Sequence, residues 1–426
     1  MALNFSERDK QSLWHPYTHQ FNVTGLPVIV SGKGAWLYDE HNNALLDGIS
    51  SWWVTLFGHC QPEIVSAVFK QSTELEQVIF AGFSHPQAIL LAERLIKLAG
   101  NSYSKVFFSD NGSTAVEVAL KIALQYFQNQ GIKNRTKIIC LQNGYHGDTF
   151  GAMSVSERSI FTWAFRDLLF EVISIPAPLD IKTAKETISE LEDMLKKEEI
   201  ATFIYEPLLQ GSSGMQMYPT EPLNFLLEEL QKHKVICIAD EVFTGFFRTG
   251  TFLASHQLEH QPDIICLSKA LTGGFLPLGA TLVTPAIYEA FHQPEKRKML
   301  FHGHSFTANP LACAAANATI SLLQQPNTLT TLKNYCSKQQ DFAQDLGKLK
   351  NVNQARHLGM VVAAEIENAR SDYTSHLAAQ ISTTFLQKNI ILRPLGNTLY
   401  LLPPLFITPA DHKWLHETCL DVLSNL

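Results

Sequence analysis

The chain has 426 residues, of which 46% are hydrophobic and 17% are charged, and this composition predicts a globular protein of more than one domain. Its net charge of −7 and its lack of any apolar run long enough to span a bilayer argue against nucleic-acid binding and against a membrane protein. The N-terminus has no signal-peptide-like apolar core, and the seven scattered cysteines have no metal-type spacing, so we expect a cytoplasmic protein with reduced thiols.

The first fifty residues predict an arm and a small meander. The aromatic cluster from Trp14 to Tyr17 either packs on the body of the protein or lines the rim of a pocket. Three short strands are expected at 28–30, 35–38 and 44–47, with a turn over 39–43. Trp52 and Trp53 follow, and two adjacent indoles cannot both face one side of a regular element. We therefore expect one indole in the core and the other in a pocket wall.

From about residue 60 to residue 284, helix and strand patterns alternate. Apolar residues with a period of 3.6 predict helices at 62–78, 86–99, 113–128, 182–198 and 221–233. Short apolar runs predict strands at 105–109, 137–141, 201–205, 235–239, 264–267 and 280–284. This alternation predicts an α/β fold with a mostly parallel sheet covered by helices on both faces. Because ligands of such sheets bind at the carboxyl ends of the strands, the functional residues are expected there.

After residue 310 the pattern changes and predicts a second, smaller α+β domain. Helices are expected at 310–324, 328–346, 374–388 and 409–424. Strands are expected at 360–366, 390–392 and 399–402, the last two as a hairpin-like pair.

Lys269 stands directly after the buried strand 264–267. Such a lysine either extends its amine to solvent or is used chemically, because an ammonium group buried without compensation is costly. A desolvated lysine is neutral and nucleophilic, and is therefore suited to a Schiff base. Asp240 ends the strand 235–239 and lies 29 residues earlier (269 − 240), which is the length of one crossover to a neighbouring strand. Asp240 is either a cap or ion-pair partner, or the counter-ion of a protonated heterocyclic nitrogen.

Other polar and aromatic residues also follow predicted strands. Gly112 and Ser113 open a helix, whose free N–H groups are either capped in the ordinary way or bind a phosphate. The ring of Tyr145 can stack on a planar group. Glu206 ends the strand 201–205, and a structural ion pair with Arg248 is one interpretation of it.

The segment 301–310 forms a further turn before a helix that begins at Pro310. Gly303 and Ser305 favour a second anion-contacting turn. His302 and His304 suggest a metal, but no third ligand is spaced with them, so no metal site is expected. A lysine, a carboxylate, a stacking ring and two donor-rich turns together describe a site for pyridoxal 5'-phosphate (PLP).

Five motifs together resemble the class III aminotransferases of PLP fold type I. They are Asn111–Glu117, Tyr145-His146-Gly147, Asp240-Glu241-Val242, Ser268-Lys269-Ala270 and Asn309–Ala312. The resemblance implies a PLP-dependent aminotransferase with three regions. These are an arm and meander at 1–50 that joins the small domain, a large PLP-binding domain at 51–309 and a small domain at 310–426.

The same resemblance implies roles for individual residues. The implied catalytic residues are Lys269, Asp240 and Tyr17. The implied cofactor-binding residues are Gly112, Ser113, Tyr145, Asp240, Val242 and Lys269 of one subunit, with Ser305 of the other, so a homodimer with shared active sites is expected. The implied substrate-binding residues are Tyr17, Trp52, Tyr145, Gly303, Arg393 and Tyr400. The family usually has Pro-Thr in place of His304-Ser305 and Gly in place of Phe247.

A second set of motifs resembles the branch of the family that serves biotin synthesis. It comprises Trp14–Tyr17, Ser51-Trp52-Trp53, Arg393-Pro394 and Tyr400–Pro404. This resemblance implies S-adenosylmethionine as the amino donor and 8-amino-7-oxononanoate as the acceptor. Aromatic walls and one distant cation suit a long keto acid with an aliphatic middle. Another class III aminotransferase, which uses lysine, ornithine or a 4-aminobutyrate-like amine, is the alternative, and a PLP-binding protein without catalysis is a third interpretation.

Overall fold

The computed structural model describes residues 4–19, 21, 26–100, 102–366 and 376–425. Its strands are β1 (Ile29–Lys33), β2 (Trp36–Asp39), β3 (Ala44–Asp47), β4 (Lys105–Ser109), β5 (Lys137–Leu141), β6 (Ile173–Ile175), β7 (Ile200–Tyr205), β8 (Leu209–Gln210), β9 (Gln216–Met217), β10 (Ile236–Asp240), β11 (Ile264–Leu267), β12 (Gly279–Val283), β13 (Val352–Leu358), β14 (Val361–Ile366), β15 (Ile390–Ile391) and β16 (Thr398–Leu401).

The helices alternate with these strands. They are α1 (Phe5–Ser12), α2 (Pro62–Ser72), α3 (Pro86–Ala99), α4 (Gly112–Asn129), α5 (Phe150–Ser154), α6 (Ile181–Lys196), α7 (Thr220–Lys232), α8 (Pro285–Glu289), α9 (Pro310–Leu323), α10 (Pro326–Leu346), α11 (His376–Gln387) and α12 (Pro409–Ser424). Several begin with proline, whose fixed φ suits the first helical position. Within the described residues, no helix is both long and apolar enough to cross a membrane.

The central sheet has seven strands in the order β4-β12-β11-β10-β7-β5-β6. All neighbours are parallel except β12, which runs antiparallel to both β11 and β4. Side chains alternate between the faces, as a strand requires: Ile138 packs in the apolar cluster that contains α4, and Ile139 packs in the cluster that contains α6 and α7. The predicted mostly parallel sheet with helices on both faces is thus confirmed.

Sequence patterns place some elements incorrectly. The helix predicted over 62–78 ends at Ser72. The strands β6 and β13 were not predicted, because β6 is only three residues long and β13 is largely exposed and polar. The predicted hairpin of 390–392 with 399–402 is wrong: β15 pairs in parallel with β3, and β16 pairs antiparallel with β14. The pairing of β15 with β3 links the N-terminal meander to the C-terminal part of the chain, while the predicted domain boundaries stay predictions.

Candidate active site

A cavity of about 590 Å³ lies at the carboxyl ends of the parallel strands. Its walls include Gly112 and Ser113 at the start of α4, Tyr145 after β5, Asp240 at the end of β10 and Lys269 after β11. The strand order explains why these residues meet: β10 and β11 are parallel neighbours, with Asp240 opposite Cys266. The predicted single crossover between Asp240 and Lys269 is confirmed.

The amine of Lys269 lies among aromatic rings inside the cavity. Its Nζ atom is 4.5 Å from the ring centroid of Trp53 and 5.5 Å from that of Phe243. Desolvation lowers the pKa of the lysine to about 8, against the opposing effect of the Asp240 and Glu206 carboxylates. Lys269 thus lines the cavity. Because its pKa is about 8, a substantial fraction of the amine is neutral near pH 8.

Asp240 is a buried carboxylate with fixed partners. Its Oδ2 atom lies 2.7 Å from Nδ1 of His146, and its Oδ1 atom accepts a hydrogen bond of 3.0 Å from the backbone N–H of Val242. The His146 ring is itself buried, directly behind the carboxylate. These contacts hold Asp240 in one orientation toward the cavity.

Glu206 lies behind the same wall. It accepts hydrogen bonds from the backbone N–H groups of Tyr145 at 3.0 Å and Gly211 at 2.9 Å. Burial raises its pKa to about 7. The ion pair with Arg248 that the sequence left open is not formed, because the Arg248 guanidinium donates instead to the backbone oxygen of Trp53 at 3.0 Å.

The start of α4 lies at one end of the cavity. Asn111 caps this helix by accepting a hydrogen bond of 2.9 Å from the N–H of Thr114. The positive end of the helix dipole lies at this first turn, where it favours a bound anion. A Cβ atom on Gly112 would lie 2.7 Å from Cγ1 of Val242. Glycine is therefore needed for the helix to approach Val242 this closely.

A second chamber of about 430 Å³ adjoins Lys269 and has mostly apolar walls. Its aromatic walls include Tyr17, Trp52 and Phe161, and the Cζ atom of Arg393 lies 4.8 Å from the Trp52 ring centroid. The Tyr17 hydroxyl contacts the Tyr145 hydroxyl at 3.3 Å and donates to Asp148.

Most of the residues predicted from the sequence meet around these two chambers. They are Tyr17, Trp52, Gly112, Ser113, Tyr145, Asp240, Val242, Lys269 and Arg393. Tyr400 is buried behind Trp53 and accepts its indole N–H at 3.1 Å. Gly303 and Ser305 are exposed, and neither residue lines one of the two chambers formed by the described part of the chain. The roles of all these residues stay predictions.

The structure adds contacts that the sequence patterns did not reveal. The expectation of one core indole and one pocket indole is confirmed, with Trp53 in the core and Trp52 in the chamber wall. Trp53 in addition lines the second chamber and contacts Lys269. Phe243 was missed, although its place two residues beyond the Asp240-Glu241 pair was a usable signal. Phe247 adopts φ 67°, the left-handed conformation that glycine would provide without strain.

Comparisons with known proteins agree with this geometry. The family model described as Aminotransferase class-III matches residues 19–423. The adenosylmethionine-8-amino-7-oxononanoate aminotransferase of Synechococcus elongatus is 42% identical over 97% of this chain and 99% of its own length. The protein of the same name from Helicobacter pylori is 36% identical over 100% of this chain and 99% of its own length.

Solved structures show the same similarity. The adenosylmethionine-8-amino-7-oxononanoate aminotransferase of Methanocaldococcus jannaschii has a TM-score of 0.92 and 34% identity, over 99% of this chain and 98% of that chain. An amine transaminase from an uncultivated Pseudomonas species, in its PLP-bound form, has a TM-score of 0.89 and 30% identity, over 97% of this chain and 98% of that chain.

Proposed function

The chain belongs to the class III aminotransferases, and from this premise we propose that it transfers the amino group of S-adenosylmethionine to 8-amino-7-oxononanoate, which yields 7,8-diaminononanoate for biotin synthesis. The observation that carries the proposal is the pair of joined chambers: the Lys269 amine faces both, and the second chamber has aromatic walls and the Arg393 cation. The relatives with full-length similarity carry the name of this activity.

The residues of the first chamber fit PLP. The volume of about 590 Å³ accommodates a substituted pyridine with a phosphate. Gly112 and Ser113 would hold the phosphate at the start of α4, where both line the cavity. Asp240 would hold the pyridine nitrogen, and Tyr145 and Val242 would enclose the ring. Lys269 would hold the aldehyde carbon.

When bound, PLP supplies an electron sink for the carbon that bears the transferred amino group. The Lys269 Nζ atom would take the proton from that carbon and carry it onward during the transfer, because its pKa of about 8 leaves part of the amine neutral near pH 8. Asp240, fixed by His146 and the Val242 N–H, presents its carboxylate to the cavity in one orientation. The aromatic walls keep water away from the amine and so strengthen these electrostatic effects.

The acceptor substrate fits the second chamber. Its carboxylate would pair with Arg393, which is held over the Trp52 ring and donates a hydrogen bond of 3.1 Å to the backbone oxygen of Tyr17. The aliphatic middle of the acceptor would lie along Trp52 and Phe161. Tyr17 lies between Arg393 and the Asp148 carboxylate, where its hydroxyl can orient the reacting amine.

We also propose a cytoplasmic homodimer in which Gly303 and Ser305 complete the site of the partner subunit. Both residues are exposed in the single chain, and the nearby Phe301 and Phe306 are each 63% exposed. Large apolar side chains exposed next to a predicted binding turn support a protein contact there. All seven cysteines are free thiols, which suits a reducing compartment.

The visible spectrum of the PLP-loaded protein tests the proposed reaction. We expect S-adenosylmethionine to bleach the cofactor band and 8-amino-7-oxononanoate to restore it. Bleaching by lysine, ornithine or 4-aminobutyrate but not by S-adenosylmethionine would support the alternative class III activity. Absence of any cofactor band after PLP is added would contradict the aminotransferase assignment itself.

A further inference from the structure

Residues 50–53 form a left-handed turn made without glycine. The φ angles are 51° at Ser50, 45° at Ser51, 68° at Trp52 and 75° at Trp53. This conformation is unfavourable for any residue with a Cβ atom, because the Cβ crowds the following carbonyl oxygen. Four such residues in succession persist only where the surroundings hold them in place.

The Asp47 carboxylate is the main group that stabilises this turn. One carboxylate oxygen accepts from the backbone N–H groups of Ile49 at 3.2 Å and Ser51 at 2.9 Å. The other accepts from the Ser51 hydroxyl at 2.8 Å and lies 2.9 Å from Nε2 of His59. The Asp47 side chain is 1% exposed, so these contacts replace water entirely.

Two further anchors close the ends of the turn. The Ser50 hydroxyl donates to the backbone oxygen of Leu402 at 2.6 Å. The buried Arg248 donates to the backbone oxygen of Trp53 at 3.0 Å, while its Nε and Nη1 atoms have no hydrogen-bond partner among the described residues. Each of these anchors makes one hydrogen bond to the turn, whereas Asp47 makes three to the segment and a fourth contact to His59.

The turn determines where the two indoles point. Trp53 places its ring against the Lys269 amine and its N–H on the Tyr400 hydroxyl. Trp52 faces the Arg393 guanidinium at the other end of the same chamber. In a strand, adjacent side chains would face opposite sides of the sheet, and one indole would leave the cavity.

We propose that Asp47 is a positioning residue for the amino transfer. It lines neither chamber, and it acts by holding the left-handed turn that places Trp52 beside Arg393 and Trp53 beside Lys269. The identity of the acceptor rests on the proposed function, but the control of the two indoles by Asp47 does not.

Asp47→Asn in the full-length holoenzyme tests the proposal, because it keeps the side-chain shape and replaces an accepting oxygen with a donor group. We expect the KM for 8-amino-7-oxononanoate to rise about 10-fold or more, as a misplaced wall residue would cause, with PLP binding retained. The near-ultraviolet circular dichroism of the tryptophans should also change. This second readout needs no substrate, so it separates failure of this proposal from failure of the proposed reaction.

Asp39→Asn is the matched control. Asp39 accepts from the N–H groups of His41 at 2.9 Å and Asn43 at 2.7 Å, so it holds a turn of the same meander by similar contacts, away from both chambers. Its replacement should lower stability without changing KM or the tryptophan signal. The double variant Asp47→Asn with Ser51→Gly should bring the raised KM part of the way back toward the wild-type value, because glycine adopts the left-handed conformation freely. An Asp47→Asn enzyme with unchanged KM and dichroism, or one that differs from wild type no more than Asp39→Asn does, would overturn the proposal.

Discussion

At the scale of single residues, opposing effects act on the Lys269 amine. Desolvation favours the neutral form, and the carboxylates of Asp240 and Glu206 favour the charged form. Desolvation is the larger effect, and the pKa falls to about 8. Glu206 opposes it weakly because burial raises its own pKa to about 7, so this carboxyl is partly protonated at neutral pH. The surroundings of Lys269 therefore favour the neutral amine that a general base requires.

Asp240→Asn is expected to retain PLP but to lose most of the turnover. The amide keeps the shape of the carboxylate and removes the charge that would stabilise a protonated pyridine nitrogen. Loss of one such electrostatic contact should lower kcat by about 10²–10³-fold. Stopped-flow bleaching of the cofactor band by the donor amine measures this step directly.

Asp263→Asn is the control for this prediction. Asp263 is also a carboxylate beside the central sheet: it directly precedes β11 and accepts a hydrogen bond of 2.9 Å from the Cys237 N–H, near the opposite end of β10. Its replacement should leave the bleaching rate unchanged. A normal rate for Asp240→Asn would contradict the role proposed for Asp240.

At the scale of elements, the sequence predicted those strands and helices that are visible as local patterns. The strand β11 and its lysine were placed correctly, because a buried apolar run followed by Lys269 is visible within a few residues. The two-residue strand β15 was mispaired because its partner β3 lies more than 340 residues earlier (390 − 46 = 344), a separation that no local pattern reveals. The left-handed turn at Ser50 was invisible for a similar reason, since one of its anchors is the distant Leu402.

In the candidate site, too, sequence patterns reveal some residues and miss others. Residues at strand ends, such as Tyr145 and Asp240, were identified because the sheet topology brings strand ends together. The partnership of His146 with Asp240 was not identified, because it depends on side-chain direction within a loop. Sequence reasoning therefore found the reacting groups more readily than the residues that orient them.

The packing of α10 against α12 leads to a prediction about stability and pH. His412 and His416 both lie close to the Gln339 amide oxygen, at 3.1 and 2.9 Å, which is consistent with neutral rings that donate from Nε2. Burial lowers the pKa of His412 to about 3 and that of His416 to about 4, from 6.5. Because the unfolded chain binds protons more readily, this part of the stability is complete above pH 6.5 and is lost as the pH falls toward 4. The loss approaches about 1.4 kcal/mol per pH unit for each histidine.

Thermal unfolding of the holoenzyme from pH 7 to pH 5 measures this effect. His412→Gln and His416→Gln keep a donor near Gln339 and cannot be protonated in this range, so the double variant should lose less stability on acidification than wild type. His292→Gln is the control, because the side chain of His292 is 68% exposed. Equal pH dependence in wild type and the double variant would show that the pair does not control acid stability.

At the scale of the whole molecule, the two chambers collect residues from most of the chain. Tyr17 comes from the N-terminal arm, Lys269 from the central sheet and Arg393 from the C-terminal part. Ser305 stands apart: it is exposed, and its backbone oxygen accepts a hydrogen bond of 2.7 Å from Gln77. In the proposed homodimer, the Ser305 hydroxyl of one subunit would reach the cavity of the other, because symmetric dimers exchange identical surfaces.

Mixed dimers test whether Ser305 acts across the subunit boundary. Lys269→Ala subunits lack the base, and Ser305→Asp subunits should repel the PLP phosphate, so each homodimer should be inactive at limiting PLP. In a mixed dimer, the Ser305→Asp subunit supplies Lys269 and receives an intact Ser305 from the Lys269→Ala subunit. Co-expression should therefore restore roughly a quarter of the wild-type sites, because half of randomly assembled dimers are mixed and each has one intact site.

The combination of Lys269→Ala with Arg393→Ala is the matched control for these mixed dimers. Lys269 and Arg393 line the same chamber within one chain, so no mixed dimer of these two variants contains an intact site and activity should not return. If Ser305 served its own chain instead, the Lys269→Ala and Ser305→Asp pair would behave like this control, since every Lys269 would then be accompanied by a damaged phosphate end. Recovery in the first mixture and none in the second therefore requires a site built from two subunits, with the base from one chain and the hydroxyl from the other.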